Sequence, residues 1–119
     1  VLVVDDERAV RNILCRVLIA SGYNALEVEL PEDALRMCKQ CKEPISLLIT
    51  DLVMPQMSGW ELAQQMQSIQ PEMRVLYMSG HTDDSLVDAE ALDLRVDFIR
   101  KPFLPVELIN KMQDILGKP

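Results

Sequence analysis

At 119 residues, with 49% hydrophobic and 26% charged side chains, the chain is long enough for one packed core and too short for two, and its composition excludes a disordered polymer. Nineteen acids against twelve bases leave a formal charge of −7, which argues against direct binding to nucleic acid. No apolar run approaches the roughly 20 residues of a membrane span and no signal-peptide pattern opens the chain, so a cytoplasmic location without membrane contact is expected.

Residues 1–4, VLVV, make a continuous apolar run that ends in Asp5, Asp6 and Glu7, the pattern of a buried strand with acids at its carboxyl end. Because that strand starts at the first residue, the chain reads as a segment of a longer open reading frame. Val10, Ile13, Leu14, Val17 and Leu18 then recur with helical spacing, and Gly22 stands where a C-terminal cap is needed. A short strand follows over about 24–28. Pro31 suits the first turn of a second helix, whose inner stripe is Ala34, Leu35, Cys38 and Cys41 and which Pro44 closes.

Leu47, Leu48 and Ile49 form the next apolar run, and it delivers one carboxylate, Asp51, to the point where Pro55 and Gly59 force a loop. Ser58 and Glu61 have capping-box spacing for a helix carrying Leu62, Met66 and Ile69, with Pro71 just beyond its end. A strand over 73–78 runs into Ser79, Gly80 and His81, and a shorter helix covers about 83–92. The final strand, 96–99, ends in Arg100, Lys101 and Pro102, and a last helix buries Leu108, Ile109, Met112, Ile115 and Leu116. Five strands too apolar to be half exposed, alternating with five helices, predict an α/β fold in one domain over 1–119. The sheet expected is a doubly wound, five-stranded parallel sheet in the flavodoxin-like order 2-1-3-4-5.

Three cysteines, Cys15, Cys38 and Cys41, are too few and odd in number for a secreted disulfide framework. Cys38 and Cys41 form an isolated C-x-x-C, whereas a structural zinc needs about four nitrogen or sulfur ligands. They are expected to pack as small apolar groups. His81, the sole histidine, reads as an exposed loop residue.

In the predicted order, the switch point between the first and third strands brings Asp5 and Asp6 beside Asp51. Carboxylates that close repel one another and call for a hard cation. Magnesium fits oxygen donors, and Asp6, Asp51 and a backbone carbonyl just after Asp51 could supply them. Ser79 adds a hydroxyl and Lys101 a fixed positive charge at the same edge, so the set suits a carboxylate nucleophile that attacks a phosphoryl group. Singly, each residue has a plainer reading as a solvated turn or loop; their shared placement at four strand ends is the stronger signal.

The segments VLVVDDE, ITDLVMPQMSG, YMSG and IRKPF together resemble the receiver domain of two-component response regulators, over essentially the whole chain. The resemblance implies that Asp51 is the phosphoacceptor, that Asp5 and Asp6 hold Mg2+ with Asp51 and the Val53 carbonyl, and that Lys101 binds the phosphoryl group. It further implies that Ser79 is the switch hydroxyl, Phe98 the aromatic switch position, and Lys101 to Pro102 a cis peptide. The partner implied is a histidine kinase or a histidine phosphotransfer domain, with a phosphorylation-dependent dimer as a further expectation.

VLVVDDE with MSGHTDD and a helix-rich end is similar to receivers attached to hybrid sensor histidine kinases; the alternative is a stand-alone regulator or a phosphate-sink or relay protein. Val53 has no polar group to position water, so slow loss of phosphate is expected. Val53 also stands where a phosphatase of the haloacid dehalogenase kind has its acid, which weighs against turnover. The full set of acids and lysine weighs against a pseudo-receiver. Only four glycines, with no phosphate-cradling loop, weigh against a flavodoxin-like cofactor binder.

Overall fold

A computed structural model describes residues 1–40, 44–52, 54, 56–79, 97–100 and 103–116. Cys41, Val53, Gly80, His81, the helix expected over 83–92, Val96, Lys101 and Pro102 lie outside the described residues. Within them the elements are β1 (Leu2–Val4), α1 (Arg8–Ala20), β2 (Leu26–Val28), α2 (Pro31–Gln40), β3 (Leu47–Asp51), α3 (Gly59–Ile69), β4 (Arg74–Ser79), β5 (Asp97–Arg100) and α4 (Pro105–Leu116). The sheet is parallel throughout, in the order β2-β1-β3-β4-β5. This is the doubly wound arrangement that the apolar runs predict.

Strand side chains alternate between faces, and the two faces carry separate cores. Leu2, Val4, Leu48 and Tyr77 pack with Ala34 and Cys38 of α2 and with Leu62, Ala63 and Met66 of α3. Val3, Leu47, Ile49, Leu76, Met78 and Ile99 pack on the other side with Leu14 and Leu18 of α1 and Leu108, Met112 and Ile115 of α4. Each fully buried leucine contributes roughly 2 kcal/mol, so β3, buried along its whole length, is the anchor of both layers. Cys38 behaves as expected of a small apolar group: it is buried, with Sγ 3.9 Å from the Met66 carbonyl oxygen.

Local chemistry sets the helix ends. Gly22 takes φ 96°, and the amides of Gly22 and Tyr23 bond the carbonyls of Ile19 and Leu18 at 3.1 and 3.0 Å, a Schellman closure of α1. The Ser58 hydroxyl accepts from the Glu61 amide at 3.1 Å and starts α3.

Five expectations need correction. β2 is half exposed, with Leu26 58% accessible, because it is an edge strand bonded only to β1. Ile13 is 59% exposed, because the inward arc of α1 runs through Arg11, Leu14 and Leu18 and leaves position 13 about 100° away from it. Ile69 is 37% exposed at the terminus of α3, beyond the covered stripe of Leu62, Ala63 and Met66. The fourth strand starts and ends one residue later than predicted, which takes Ser79 into β4, and the last strand likewise ends one residue later, at Arg100.

Candidate phosphoacceptor and cation site

β1 and β3 run side by side with Val4 paired to Thr50, so the next residues, Asp5 and Asp51, emerge together at their carboxyl ends. Asp5 is fully buried, and its Oδ1 accepts the Glu7 amide at 2.8 Å while its carbonyl accepts Arg11 Nη1 at 2.7 Å. Asp6 is exposed, and Asp51 is 8% exposed. Carboxylate oxygens of Asp5, Asp6 and Asp51 all lie within 4.8 Å of one another. At that separation each pair of unit charges repels by about 3 kcal/mol at an effective dielectric of 20. The donor set is all oxygen and carries three negative charges, which fits a hard divalent cation such as magnesium.

The backbone beneath Asp51 is fixed from three sides. Thr50 Oγ1 donates to the Asp51 carbonyl at 3.0 Å, the Leu52 amide bonds the Met78 carbonyl at 2.9 Å, and the Gly59 amide bonds the Leu52 carbonyl at 2.9 Å. Gly59 is buried at the first turn of α3, and a Cβ there would collide with the Asp51 carbonyl oxygen and stand 3.1 Å from Thr50 Cγ2. The start of α3 is therefore pressed directly onto the residue that carries the central carboxylate.

Asp51 pairs with Met78 across to β4, and Ser79 is the next residue, pairing in turn with Arg100 of β5. Ser79 thus belongs by its backbone to the same sheet edge as the acids. Phe98 pairs with Tyr77, is half-buried against the α2–α3 core, and lies under the Arg100 guanidinium, 5.9 Å from ring centroid to carbon. Tyr77 also meets Trp60, with centroids 4.9 Å apart at 34°.

Arg11 and Gly59 carry roles that the sequence reading missed. Arg11 is 7% exposed and pairs with Glu27 of β2, Nε to Oε1 at 3.5 Å. Its signal was its place in the inward arc with Leu14 and Leu18, where a solvated arginine does not belong. Burial pushes the nearby Cys15 thiol up from its ordinary value, and Glu27 adds to the shift by its charge and by accepting a hydrogen bond, while Arg11 opposes it.

A cavity of about 560 Å³ lies at the opposite end of the strands, lined by Pro44, Ile45, Gln70, Pro71, Met73 and Leu116.

Comparison with known proteins agrees with this geometry. The family model for the response regulator receiver domain matches residues 1–113. The chain is a response regulator receiver domain. The receiver is 29% identical over 99% of its length to the sensor kinase CckA of Brucella abortus, of which it spans 12%, and 28% identical to the response regulator receiver protein CpdR of the same organism, over 98% of the chain and 95% of that protein. A crystal structure of a receiver domain protein from Clostridium thermocellum superposes with a TM-score of 0.86 at 25% identity, covering 98% of this chain and 92% of that one. Among the described residues no helix is long and apolar enough to cross a membrane.

Proposed function

We propose that this receiver accepts a phosphoryl group on Asp51 from a phosphohistidine of a histidine kinase or histidine phosphotransfer domain. The observation that carries the reading is the convergence of Asp5, Asp6 and Asp51 within 4.8 Å at the ends of adjacent strands. A carboxylate oxygen of Asp51 attacks phosphorus, the P–O bond forms as the P–N bond breaks, and the imidazole departs with the bonding electron pair. Magnesium, held by Asp5, Asp6, Asp51 and the Val53 carbonyl, would neutralise charge on the phosphoryl oxygens. Lys101 binds those oxygens, the Ser79 hydroxyl donates to them, and Phe98 follows Ser79 inward as the switch.

The domain is an acceptor rather than a turnover enzyme, since Val53, two residues after Asp51 in the chain, offers no acid or water-positioning group. A cytoplasmic setting and a phosphorylation-dependent dimer belong to the same reading. Incubation with acetyl phosphate and Mg2+, followed by intact-mass measurement, is expected to add one phosphoryl group to the wild type and none to Asp51→Asn. Val53→Asn is expected to lose that mass faster. A mass gain that survives Asp51→Asn, or that is independent of Mg2+, would overturn the assignment.

We infer that the receiver belongs to a hybrid sensor kinase, because its likeness to CckA spans 99% of the chain. CpdR, matched over 95% of its length, favours the second reading, a stand-alone regulator or phosphate sink. The coding sequence on either side of this segment separates the two: a kinase core upstream supports the first, and stop and start codons close to both ends support the second.

A further inference from the structure

We propose that Arg11 is a positioning residue of the cation site: anchored to Glu27 on β2, its guanidinium fixes the Asp5 carbonyl and thereby sets how Asp5 and Asp6 present their carboxylates. The proposal rests on reading the acidic cluster as a Mg2+ site. Arg11 lies on the inward arc of α1 with Leu14 and Leu18, where an apolar side chain would pack without having to desolvate a charge. The charge is retained there, and it is spent on two contacts that lead to the acids. Nη1 donates to the Asp5 carbonyl at 2.7 Å, and Nε approaches Glu27 Oε1 at 3.5 Å.

The choice of acceptor matters. A cation whose role was to neutralise the cluster would be expected to make its short bond to a carboxylate oxygen, but the 2.7 Å bond of Arg11 goes to the backbone. The Asp5–Asp6 peptide is planar, so fixing the Asp5 carbonyl also fixes the amide and Cα of Asp6. Meanwhile the Glu7 amide holds Asp5 Oδ1 at 2.8 Å. The turn is therefore held at a carboxylate by its own backbone and at a carbonyl by Arg11. Glu27 supplies the other end of the tether from the strand next to β1, where it pairs with Val3. The exposed Asp6 gains its direction from a peptide plane that is held from below.

Two physical effects of Arg11 oppose each other, and they make the proposal testable. A positive charge close to the cluster competes with Mg2+, so deleting it would tighten binding. Loss of a residue that orients metal ligands typically weakens metal affinity by about 10- to 100-fold. The carbonyl contact and the planar peptide favour the second effect. Isothermal titration of the metal-free protein with MgCl2 is expected to give a Kd about tenfold higher for Arg11→Met, whose apolar side chain suits the stripe. For Arg11→Lys, which keeps the charge but not the two-armed tether, and for Glu27→Gln, rises of about two- to fivefold are expected.

Melting temperatures of the same metal-free samples separate packing from positioning, because a merely structural Arg11 would lower Tm and leave Kd unchanged. An unchanged or lower Kd in Arg11→Met overturns the proposal, and if that variant does not fold, an unchanged Kd in both Arg11→Lys and Glu27→Gln does the same. A wild-type protein that binds no Mg2+, or binds it equally after Asp51→Asn, instead removes the cation-site reading on which the proposal stands.

Discussion

Gly59 is required for the space its missing side chain leaves, not for an unusual backbone angle. Gly22 illustrates the other use of glycine, with φ 96° behind α1. At Gly59 the conflict is steric: a Cβ would run into the Asp51 carbonyl oxygen, which is backbone and has no flexible end to swing away. Gly59→Ala must therefore push α3 away from β3 or displace Asp51. Overpacking of this kind destabilises by about 1–3 kcal/mol. Because the displaced group carries the proposed nucleophile, the rate of phosphorylation by acetyl phosphate is also expected to fall, by an order of tenfold or more. Urea denaturation and the initial rate of mass gain check both parts. Wild-type values for the two together would show that α3 can retreat freely, contrary to the contact described. The sequence marks Gly59 as a loop former beside Pro55, but it cannot reveal that the helix start touches Asp51, because that contact arises only when β3 and α3 fold together.

Gln70 is the corresponding device at the scale of elements. Its Oε1 accepts the Ile45 amide at 2.6 Å and its Nε2 donates to the Cys38 carbonyl at 3.3 Å, so one amide ties the last turn of α2 and the approach to β3 onto the end of α3. Its backbone also takes part, receiving the Met73 amide at 3.1 Å as the chain turns into β4. Gln70→Ala leaves two backbone groups without this partner, and a loss of about 1–3 kcal/mol is expected in urea denaturation. Since these contacts lie at the end of the strands away from Asp51, Mg2+ affinity should stay at the wild-type value; a large change in Kd would contradict that separation. Most elements could be read from periodicity: strands from apolar runs, α2 and α4 from stripes at Ala34 and Cys38 and at Leu108, Met112 and Ile115. Gln70 could not, because its partners are 25 and 32 residues away in the chain. The exposure of β2 was hidden for a similar reason, since a run such as ALEV does not say whether it has one neighbour or two.

For the molecule as a whole, strand order is what turns scattered acids into a site. Asp5 and Asp6 are some 45 residues from Asp51 in the chain, and the crossover that sets β1 beside β3 brings their oxygens within 4.8 Å. That juxtaposition was legible in the sequence, because apolar runs ending in acids leave few topologies open. For Arg11 the helical spacing with Leu14 and Leu18 signals burial, but not its partners, because Glu27 comes within reach only when β2 is in place. The assembled cluster carries a cost that any bound cation repays, and this gives stability a dependence on Mg2+ with a change of sign. Without metal, Asp51→Asn removes like-charge repulsion from a largely buried position, and the variant is expected to be more stable than the wild type by about 1–3 kcal/mol. With Mg2+ at about 100 times its Kd, the wild type gains about 2.7 kcal/mol by mass action, while a variant short of one ligand gains much less. For a chain of this size that gain raises Tm by roughly 10 °C. Thermal melts of both proteins across a magnesium series should therefore cross, with Asp51→Asn ahead at low concentration and the wild type ahead at high concentration. Parallel curves would mean that Asp51 neither repels its neighbours nor holds the ion, and an equal rise with matched NaCl would reduce the effect to screening.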